Sequence, residues 1–500
     1  MVLHSCKESV TPQLEAIPAD AALVMVMENK QLSDKAGGLN EYGFIQKIRQ
    51  AAFDEDASLQ SLFDRVIADP KLVGIDTERT YLYAGGGDDP EKMYVSLVLK
   101  VQNAATFETA LREAFSEEVP EIQDKGAYKL LQTDEQAALV WNQQLLFLFA
   151  GNITELDYEE CFARPKGKSI LSVADFNEFG KHSYDIGFWA SYGTFINMYQ
   201  KAFNRLTGVF SVNELFTELE ETYIHAYLNF DNGAVNLSSV LTPKEKAEAF
   251  YKKFPLIKKD FNQKLLNDFP ETSYLAFKMS VDLLEYVKLI KSMVPGFAAQ
   301  SGDILDDPDT NTVLNALNGD FLFSLYGFAQ GPLPIPLLGL DFTVKSKDDF
   351  DRLVALIPKD AVKSQDDHYV ISLGPVPSIY FAYKDNRVFL TDDAESIETF
   401  LKSGHDKTLA SGELGADLKK SLYLFYLNMD VDSYPEKIRL MLQSGLGGDA
   451  LKSLLESLSP YKDFTAKTTD DYESIITLRF KSRGNSLKQI LESIDDITAD

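Results

Sequence analysis

The densest group of oxygen-bearing side chains in the sequence has the character of a cation site. Asp307, Asp309 and Asn311 occupy the first three ligand positions of a calcium-binding loop, in which carboxylate and amide oxygens coordinate the ion. Thr312 replaces the glycine that such a loop requires, and Asn318 replaces its closing glutamate. We therefore expect a solvated acidic loop, and the alternative is a weak cation site of another kind. The candidate ligands of that alternative are Asp303, Asp306, Asp307, Asp309 and Asn311.

Three short motifs are similar to catalytic or cofactor-binding signatures, but each lacks a required residue or context. Residues 167–169 end like a phosphate-binding loop, yet Phe162 replaces the glycine five positions earlier. Ser191 lies in a segment like a nucleophile elbow, but Trp189 replaces the leading glycine. Residues 445–450 fit a dinucleotide-binding pattern but follow a predicted helix, whereas that pattern needs a preceding strand. We therefore predict no catalytic residue and no cofactor.

Histidine and cysteine do not form a recognisable metal or nucleophile motif either. The five histidines lack the spacing of zinc ligands, and none stands beside a cysteine. His225 lies inside an alternating strand pattern, so we expect a hydrogen-bonded sheet residue there. Cys161 has no neighbouring histidine in the sequence, and we do not expect it to act as a nucleophile.

The N-terminal segment contains a candidate lipid attachment site at Cys6. Residues 3–6 are similar to the end of a bacterial lipoprotein signal, in which the cysteine thiol is acylated. Such signals need basic and apolar segments before this point, and five residues cannot contain them. Either the true start lies upstream or Cys6 is incidental. Residues 7–16 are polar and suit a tether. We expect lipidation and an outer-membrane-anchored envelope protein, with its periplasmic or surface face left open.

Length and charge exclude several classes of protein. A chain of 500 residues exceeds one ordinary hydrophobic core, so more than one domain is expected. The 76 acidic and 49 basic residues give a net charge of −27, which opposes binding to nucleic acid. No apolar run is long enough for a transmembrane helix. The chain would therefore meet a membrane only through a lipid anchor.

A series of predicted elements recurs in the second half of the chain. Residues 17–27 form a proline-led turn and an apolar strand, and residues 269–279 repeat this design 252 positions later. Val101 and Val344 end matching strands, 243 positions apart. The strands alternate apolar and polar residues and are joined as hairpins, which favours antiparallel sheets.

We accordingly predict an α+β protein built from two tandem related units. Each unit is expected to contain a mainly antiparallel sheet with helices packed on one face. The predicted segments are a lipoprotein-like tether at residues 1–16, a first repeat at 17–258 and a second at 259–500.

Several short motifs spread over almost the whole chain after residue 16 resemble one known family. They are Ile17-Pro18-Ala19-Asp20-Ala21, Leu32-Ser33-Asp34-Lys35-Ala36-Gly37, Gly74-Ile75-Asp76, Phe176-Asn177-Glu178-Phe179, Asp185-Ile186-Gly187-Phe188-Trp189-Ala190-Ser191-Tyr192 and Leu317-Asn318-Gly319-Asp320. On these motifs the sequence resembles Bacteroidetes lipoproteins known only as a domain of unknown function. The resemblance implies an envelope location. It implies no established activity and supplies no catalytic residues.

Two functional hypotheses follow from the sequence. The first is a non-catalytic envelope lipoprotein that binds a small ligand or another envelope protein. Its candidate contact loop contains Pro332, Pro334 and Pro336. The alternative is a carboxylate-dependent hydrolase of the envelope, because two acids brought together only by folding suffice for glycoside cleavage.

Overall fold

In the computed structural model the chain divides into two units. The first contains the described residues between 11 and 197, 219 and 246, and 484 and 499, and the second contains those between 247 and 483. The units therefore differ from the predicted segments 17–258 and 259–500 at the C terminus, because the last helix packs with the first unit. The structure describes residues 11–39, 42–53, 57–87, 89–115, 121–132, 135–195, 197, 219–253, 257–293, 307–329, 334–372, 378–402, 404–443, 458–469 and 472–499.

The first unit contains one antiparallel sheet. Its strands are β1 (Leu23–Met27), β2 (Ile75–Gly85), β3 (Tyr94–Val101), β4 (Gln123–Asp124), β5 (Lys129–Gln132), β6 (Ala137–Trp141), β7 (Leu145–Gly151), β8 (Ile186–Ser191), β9 (Tyr223–Asp231) and β10 (Ala234–Thr242). They pair in the order β4-β5-β6-β7-β3-β2-β1-β8-β9-β10, and every one of these ladders is antiparallel.

The second unit repeats this strand order. Its strands are β11 (Leu275–Ser280), β12 (Leu317–Ala329), β13 (Ile335–Val344), β14 (Val362–Ser364), β15 (Tyr369–Ile371), β16 (Ile379–Lys384), β17 (Arg387–Thr391), β18 (Ser421–Asn428), β19 (Tyr461–Thr469) and β20 (Ser474–Phe480). They pair antiparallel in the order β14-β15-β16-β17-β13-β12-β11-β18-β19-β20. Each strand of the second unit has the same neighbours as the strand of the first unit whose number is lower by ten. For example, β11 lies between β12 and β18, as β1 lies between β2 and β8. The predicted α+β class with antiparallel sheets is confirmed.

Helices connect the strands throughout the chain. In chain order they are α1 (Pro12–Ala16), α2 (Asn29–Ala36), α3 (Gly43–Phe53), α4 (Ala57–Ala68), α5 (Ala104–Ala114), α6 (Tyr158–Phe162), α7 (Ala174–Phe179), α8 (Lys244–Lys253), α9 (Leu283–Met293), α10 (Pro308–Ala316), α11 (Lys347–Ala355), α12 (Ala394–Lys402), α13 (Gly415–Lys420), α14 (Glu436–Gln443) and α15 (Ser486–Ala499). Within the described residues, no helix has the length and apolar character needed to cross a membrane.

Helices cover both faces of the sheet in the first unit, which corrects the expectation that they cover one. Val98 and Leu99 are consecutive residues of β3, so their side chains point to opposite faces. Val98 packs in a core with Phe179 of α7, and Leu99 packs in a separate core with Phe107 of α5. The sequence pattern of α5 fits this packing, because its buried side chains follow helical spacing.

The second unit is built in the same way. Val388 and Phe389 are consecutive in β17 and lie in different cores. Val388 packs with Phe350 of α11, whereas Phe389 packs with Phe400 of α12. One row of this sheet nevertheless differs from its counterpart in the first unit.

That row contains two ionisable side chains where the first unit has valines. Lys278 and Asp341 both pair with Leu322 across neighbouring strands. In the first unit, Val26 and Val98 hold the same places on either side of the strand between them. The structure therefore places a lysine and an aspartate at apolar core positions of a shared strand arrangement.

The two ionisable groups differ in how they are accommodated. The Lys278 ammonium donates hydrogen bonds to the carbonyl oxygens of Leu418 and Ser421 at the C-terminal end of α13, where a cation is favourable. Burial lowers the pKa of Lys278 to about 8. Both oxygens of Asp341 are buried and have no hydrogen-bond partner of normal geometry in the described part of the chain, although the Phe342 amide offsets a smaller part of the effect of burial on the pKa of this carboxyl. Burial raises the pKa of this carboxyl well above its ordinary value of 3.8.

Replacing Asp341 with valine should stabilise the second unit. The substitution removes an unpartnered buried polar group, whose cost is about 1–3 kcal/mol. Below about pH 4 the Asp341 carboxyl is protonated in the folded and in the unfolded protein. Above about pH 4 the unfolded chain releases this proton, whereas the folded protein keeps it. The raised pKa in the folded state therefore makes wild-type stability fall as pH rises, and the advantage of Asp341→Val should grow from about pH 4 to 7.

Scanning calorimetry at both pH values would measure this effect. Asp351→Val is the control, because Asp351 is 53% exposed and paired with Lys347 on the surface of α11. The control should change the unfolding free energy by less than about 1 kcal/mol at either pH. Equal pH dependence of wild type and Asp341→Val would contradict the account of this carboxyl.

Candidate functional site

The first unit contains a cavity of about 600 Å³ that is suited to a small ligand. Apolar side chains form most of its wall, and most of them are partly exposed to it. They come from α2, α4, β8, β9 and α15 and from the segments beside α2. These residues are Leu32, Ala36, Leu39, Val66, Ile67, Ala68, Ile186, Phe230, Leu487 and Leu491, together with Pro70 of the turn after α4.

Charged side chains at the mouth of the cavity are engaged with one another. Lys30 and Asp34 form an ion pair of 3.0 Å along α2, and Lys71 and Glu78 form one of 3.5 Å. All four are exposed to solvent, so the mouth is open and polar. Asp76 pairs with a lysine outside the lining, at 3.3 Å. The site thus combines an apolar interior with a polar mouth.

The buried carboxylate of Asp185, which directly precedes β8, forms hydrogen bonds with α2 and β9. All three elements contribute to the wall. Asp185 Oδ2 accepts a hydrogen bond from Lys35 Nζ of α2 at 2.5 Å and another from the Phe230 amide of β9 at 2.7 Å. The Asp185 backbone amide donates to the Leu228 carbonyl of β9, and its carbonyl accepts from the amide of Glu28, which follows β1. The Asp185 side chain is only 1% exposed. This residue therefore fixes α2 against the ends of three strands.

A tight turn forms another part of the wall, between α4 and β2. Asp69 caps the turn Pro70–Val73 by accepting a hydrogen bond from the Lys71 amide at 3.0 Å. Gly74 ends the turn with a φ of 77°, in the left-handed region. A Cβ atom at Gly74 would lie 2.3 Å from the Asn103 carbonyl oxygen, so the close approach requires glycine.

The C-terminal helix α15 closes one side of the cavity. Asn485 precedes it, accepts a hydrogen bond from the Leu487 amide at 3.0 Å and donates one to the Phe230 carbonyl at 3.0 Å. Near its other end, Asp495 accepts a hydrogen bond from the Phe44 amide of α3 at 2.9 Å. Both ends of α15 are thus attached to the first unit, which places Leu491 in the wall.

A second polar cluster in the first unit surrounds the buried pair His225 and Asp175. Their Nε2 and Oδ1 atoms are 2.6 Å apart, and Trp189 Nε1 donates to the same Oδ1 at 2.9 Å. Burial alone would raise the pKa of Asp175, but hydrogen bonds from His225, Thr242 and Trp189 lower it below its ordinary value. Asp175 is therefore held as a carboxylate.

This cluster does not have the geometry of a catalytic triad. The Thr242 hydroxyl approaches His225 Nε2 at 3.2 Å, the same nitrogen that contacts Asp175. The other nitrogen, Nδ1, is 3.2 Å from the Tyr227 hydroxyl. A triad needs the acid and the nucleophile on opposite ring nitrogens. The structure thus agrees with the expectation of a hydrogen-bonded sheet histidine, and the arrangement serves packing.

Cys161 is likewise unsuited to nucleophilic chemistry. It is buried in α6, and burial raises the pKa of its thiol to about 11. The thiol therefore stays protonated at neutral pH, whereas the thiolate is the reactive form.

Only part of the acidic group predicted from the sequence lies in the described residues. Asp307 precedes α10 and caps it, because its Oδ2 accepts a hydrogen bond from the Thr310 amide at 2.9 Å. Asn311 donates to the Asp307 carbonyl at 3.2 Å, and Asp309 lies in the first helical turn. Asp303 and Asp306 fall outside the described residues, so the cation-site hypothesis stays a prediction. No metal-binding group of three or more His, Cys, Asp or Glu residues occurs in the described ranges.

Cys6 and Pro332 also lie outside the described residues. Pro334 directly precedes β13, and Pro336 is an exposed residue of that strand, paired with Phe328 of β12. Exposed Ile335 is its neighbour. Within the described residues, the predicted contact segment thus includes the start of β13, and its contact role stays a prediction.

The cavity itself was not predicted from the sequence. Its lining comes from segments that are distant in the chain, and apolar residues in amphipathic helices are indistinguishable from core residues. One signal was available. Lys35 and Asp185, which join at the cavity wall, both lie in motifs that carry the family resemblance.

Comparison with known protein families gives a match over nearly the whole chain. The model of a family described as a domain of unknown function, DUF4836, matches residues 14–487. The chain belongs to this family. The predicted resemblance to a domain of unknown function is confirmed, whereas a Bacteroidetes origin and a lipid anchor stay predictions.

Other comparisons add no functional information. No curated protein matches the sequence. A solved structure titled "Structure of crystal form I of TP0453" is similar with a TM-score of 0.26 and 10% sequence identity. That similarity covers 51% of this chain and 90% of the other. Similarity at this level carries no argument for the DUF4836 protein.

Replacing Asp185 with alanine should destabilise the first unit by about 3 kcal/mol. The change leaves the Lys35 ammonium and the Phe230 amide without their shared acceptor, which is costly at a buried site. The estimate lies at the lower end of the range for buried pairs because Lys35 is 28% exposed. Urea unfolding, followed by a probe in the first unit, would measure the effect.

Asp34→Ala is the matched control on the same helix. The pair of Lys30 and Asp34 is 67% and 68% exposed, so its loss should cost less than about 1 kcal/mol. Similar losses for Asp185→Ala and Asp34→Ala would show that the buried pair does not secure α2.

Proposed function

We propose that this DUF4836 protein is a non-catalytic binding protein of the cell envelope whose first unit binds a small, largely apolar ligand. The observation that carries the proposal is the cavity of about 600 Å³, which lies within the size range of ligand pockets, about 300–1,000 Å³. Its wall is apolar, its mouth is polar, and its main supports are buried hydrogen bonds. These are the properties of a binding site that is formed before the ligand arrives.

The charged groups at the cavity favour binding over catalysis. A hydrolase with paired acids needs one carboxyl that is kept protonated and another that is free to act. Asp34 and Glu78 each pair with a lysine, and Asp76 accepts from the Glu78 amide at 3.0 Å and from Lys100. Asp69 caps a turn. The carboxylate-dependent hydrolase is therefore the less favoured alternative.

We propose a lipid anchor at Cys6 as the attachment to the outer membrane. The support is the similarity of residues 3–6 to a lipoprotein signal and the polar tether that follows. The first described element, α1, begins at Pro12, so the anchor would lie close to the folded unit. The anchor would keep the cavity near a source of amphiphilic molecules.

We also propose that the two units arose by internal duplication. The support is the shared strand order, in which each strand of the second unit takes the place of the strand ten positions earlier. The second unit would then have diverged, with Lys278 and Asp341 at former apolar positions. Its exposed Ile335 and Leu338, 45% and 40% exposed, favour protein contact as the role of the β12–β13 hairpin.

The cavity should bind N-phenylnaphthylamine, an uncharged dye whose fluorescence rises in apolar surroundings. Ile67→Glu places a carboxylate in the apolar wall, and desolvating it on ligand binding is unfavourable. We expect the dissociation constant for the dye to rise at least about tenfold, the equivalent of 1.4 kcal/mol. Fluorescence titration of the folded variants would measure it.

Ile48→Glu is the control for this titration. Ile48 is 50% exposed on the neighbouring helix α3 and does not line the cavity. The control should bind the dye within about twofold of the wild type. Equal weakening in both variants, or dye binding unaffected by Ile67→Glu, would contradict the assignment of the cavity.

Protein produced from its native gene in its own host should carry a lipid on Cys6. Metabolic labelling with an alkyne fatty acid should tag the wild type, and Cys6→Ser should lose the tag because it lacks the thiol. Cys161→Ser is the control and should keep the tag, since Cys161 is buried. An untagged wild type would refute the anchor but not the cavity.

A further inference from the structure

The charged residues that line the cavity favour some charges over others in the polar head group of a bound ligand. Asp34, Asp69, Asp76 and Glu78 contribute four negative charges, and Lys30 and Lys71 contribute two positive charges. The net charge of the lining is therefore −2. Lys30 and Lys71 pair with Asp34 and Glu78, and Lys100 from outside the lining pairs with Asp76. Among the lining acids, Asp69 therefore has no ion pair within the described residues.

The arrangement of these charges separates the head group from the chain of a ligand. Asp34, Asp69 and Glu78 are exposed, whereas Leu491, Ile67 and most of the other apolar side chains of the lining are partly or fully buried. A ligand that fills the site would place an apolar chain inside and its head group among the acids. An anionic head group would be repelled there, and a cationic group would be attracted.

We propose that the ligand is a single-chain amphiphile whose head group contains a cationic centre, either alone or within a zwitterion. This inference rests on the proposed function, since it assumes that the cavity binds a ligand. The exposed position of the acids makes the preference dependent on ionic strength, because salt screens charges in contact with water.

Competition among amphiphiles with the same chain tests the proposal. The experiment measures how well three amphiphiles displace N-phenylnaphthylamine from the full chain at low salt, each below its micellar concentration. They are dodecyltrimethylammonium, dodecylphosphocholine and dodecyl sulfate. We expect the ammonium and phosphocholine compounds to displace the dye at concentrations at least about tenfold lower than dodecyl sulfate. The difference should narrow as salt is added.

A charge-reversed lining provides the decisive comparison. Asp34→Lys combined with Glu78→Lys changes the lining from −2 to +2 and should reverse the head-group order. Both side chains are exposed, at 68% and 59%, so the variant is expected to fold. Glu395→Lys combined with Glu398→Lys makes the same change in total charge on exposed positions of α12, and it should leave the order unchanged.

The possible failures are distinguishable. Equal displacement by all three compounds would overturn the head-group inference and leave the cavity assignment intact. Reversal of the order in the α12 control as well would also overturn it, because total charge would then explain the preference. Absence of dye binding to the wild type would overturn the proposed function itself.

Discussion

The cavity of the first unit depends on one buried carboxylate. Asp185 stands just before β8 and accepts hydrogen bonds from Lys35 of α2 and from the Phe230 amide of β9. Asn29 attaches the start of α2 to β2 by hydrogen bonds to Thr77 and Thr80, and Asp185 holds the last turn of the helix through Lys35. A buried ion pair of this kind contributes little net stability but makes alternative packings costly. The shape of the cavity follows from that restriction.

The two units show how one strand order supports different interiors. In the first, the row through Val26, Tyr81 and Val98 is apolar or aromatic and fully packed. In the second, Lys278 and Asp341 occupy the outer places of the same row. The Lys278 ammonium donates hydrogen bonds to two carbonyl oxygens at the end of α13, which offset the cost of burying its charge. The Asp341 carboxyl has no such hydrogen bonds. The two units therefore share the pairing of their strands and differ in whether the buried side chains of this row are apolar or ionisable.

Much of the sheet was predictable from the sequence, because alternating strands leave a strong period-two pattern. β3 and β13 end at Val101 and Val344, as predicted. β10 and β19 were missed, although the turn Asp231-Asn232-Gly233 before β10 is a hairpin signal. A second helical layer was not predicted, because the alternation of apolar and polar residues in strands such as β3 is typical of a sheet with one solvated face.

The cavity was less predictable for a physical reason. Its wall is assembled from α2, α4, two strands and the C-terminal helix, and no local pattern connects residues as distant as Leu32 and Leu491. Asp185 and Lys35 are 150 positions apart, so only the fold reveals that they are partners. Motif searches detect chemistry held within one segment, whereas this site depends on tertiary assembly.

Methyl NMR of the isotope-labelled protein during titration with N-phenylnaphthylamine tests the central claim most directly. If the cavity is the binding site, the methyl signals of Ile67 and Ile186 should shift in a saturable manner. The signals of Ile48, outside the lining, and of Ile397, buried in the second unit, should not. Saturable shifts confined to Ile397 or Ile48, with Ile67 and Ile186 unchanged, would contradict the account.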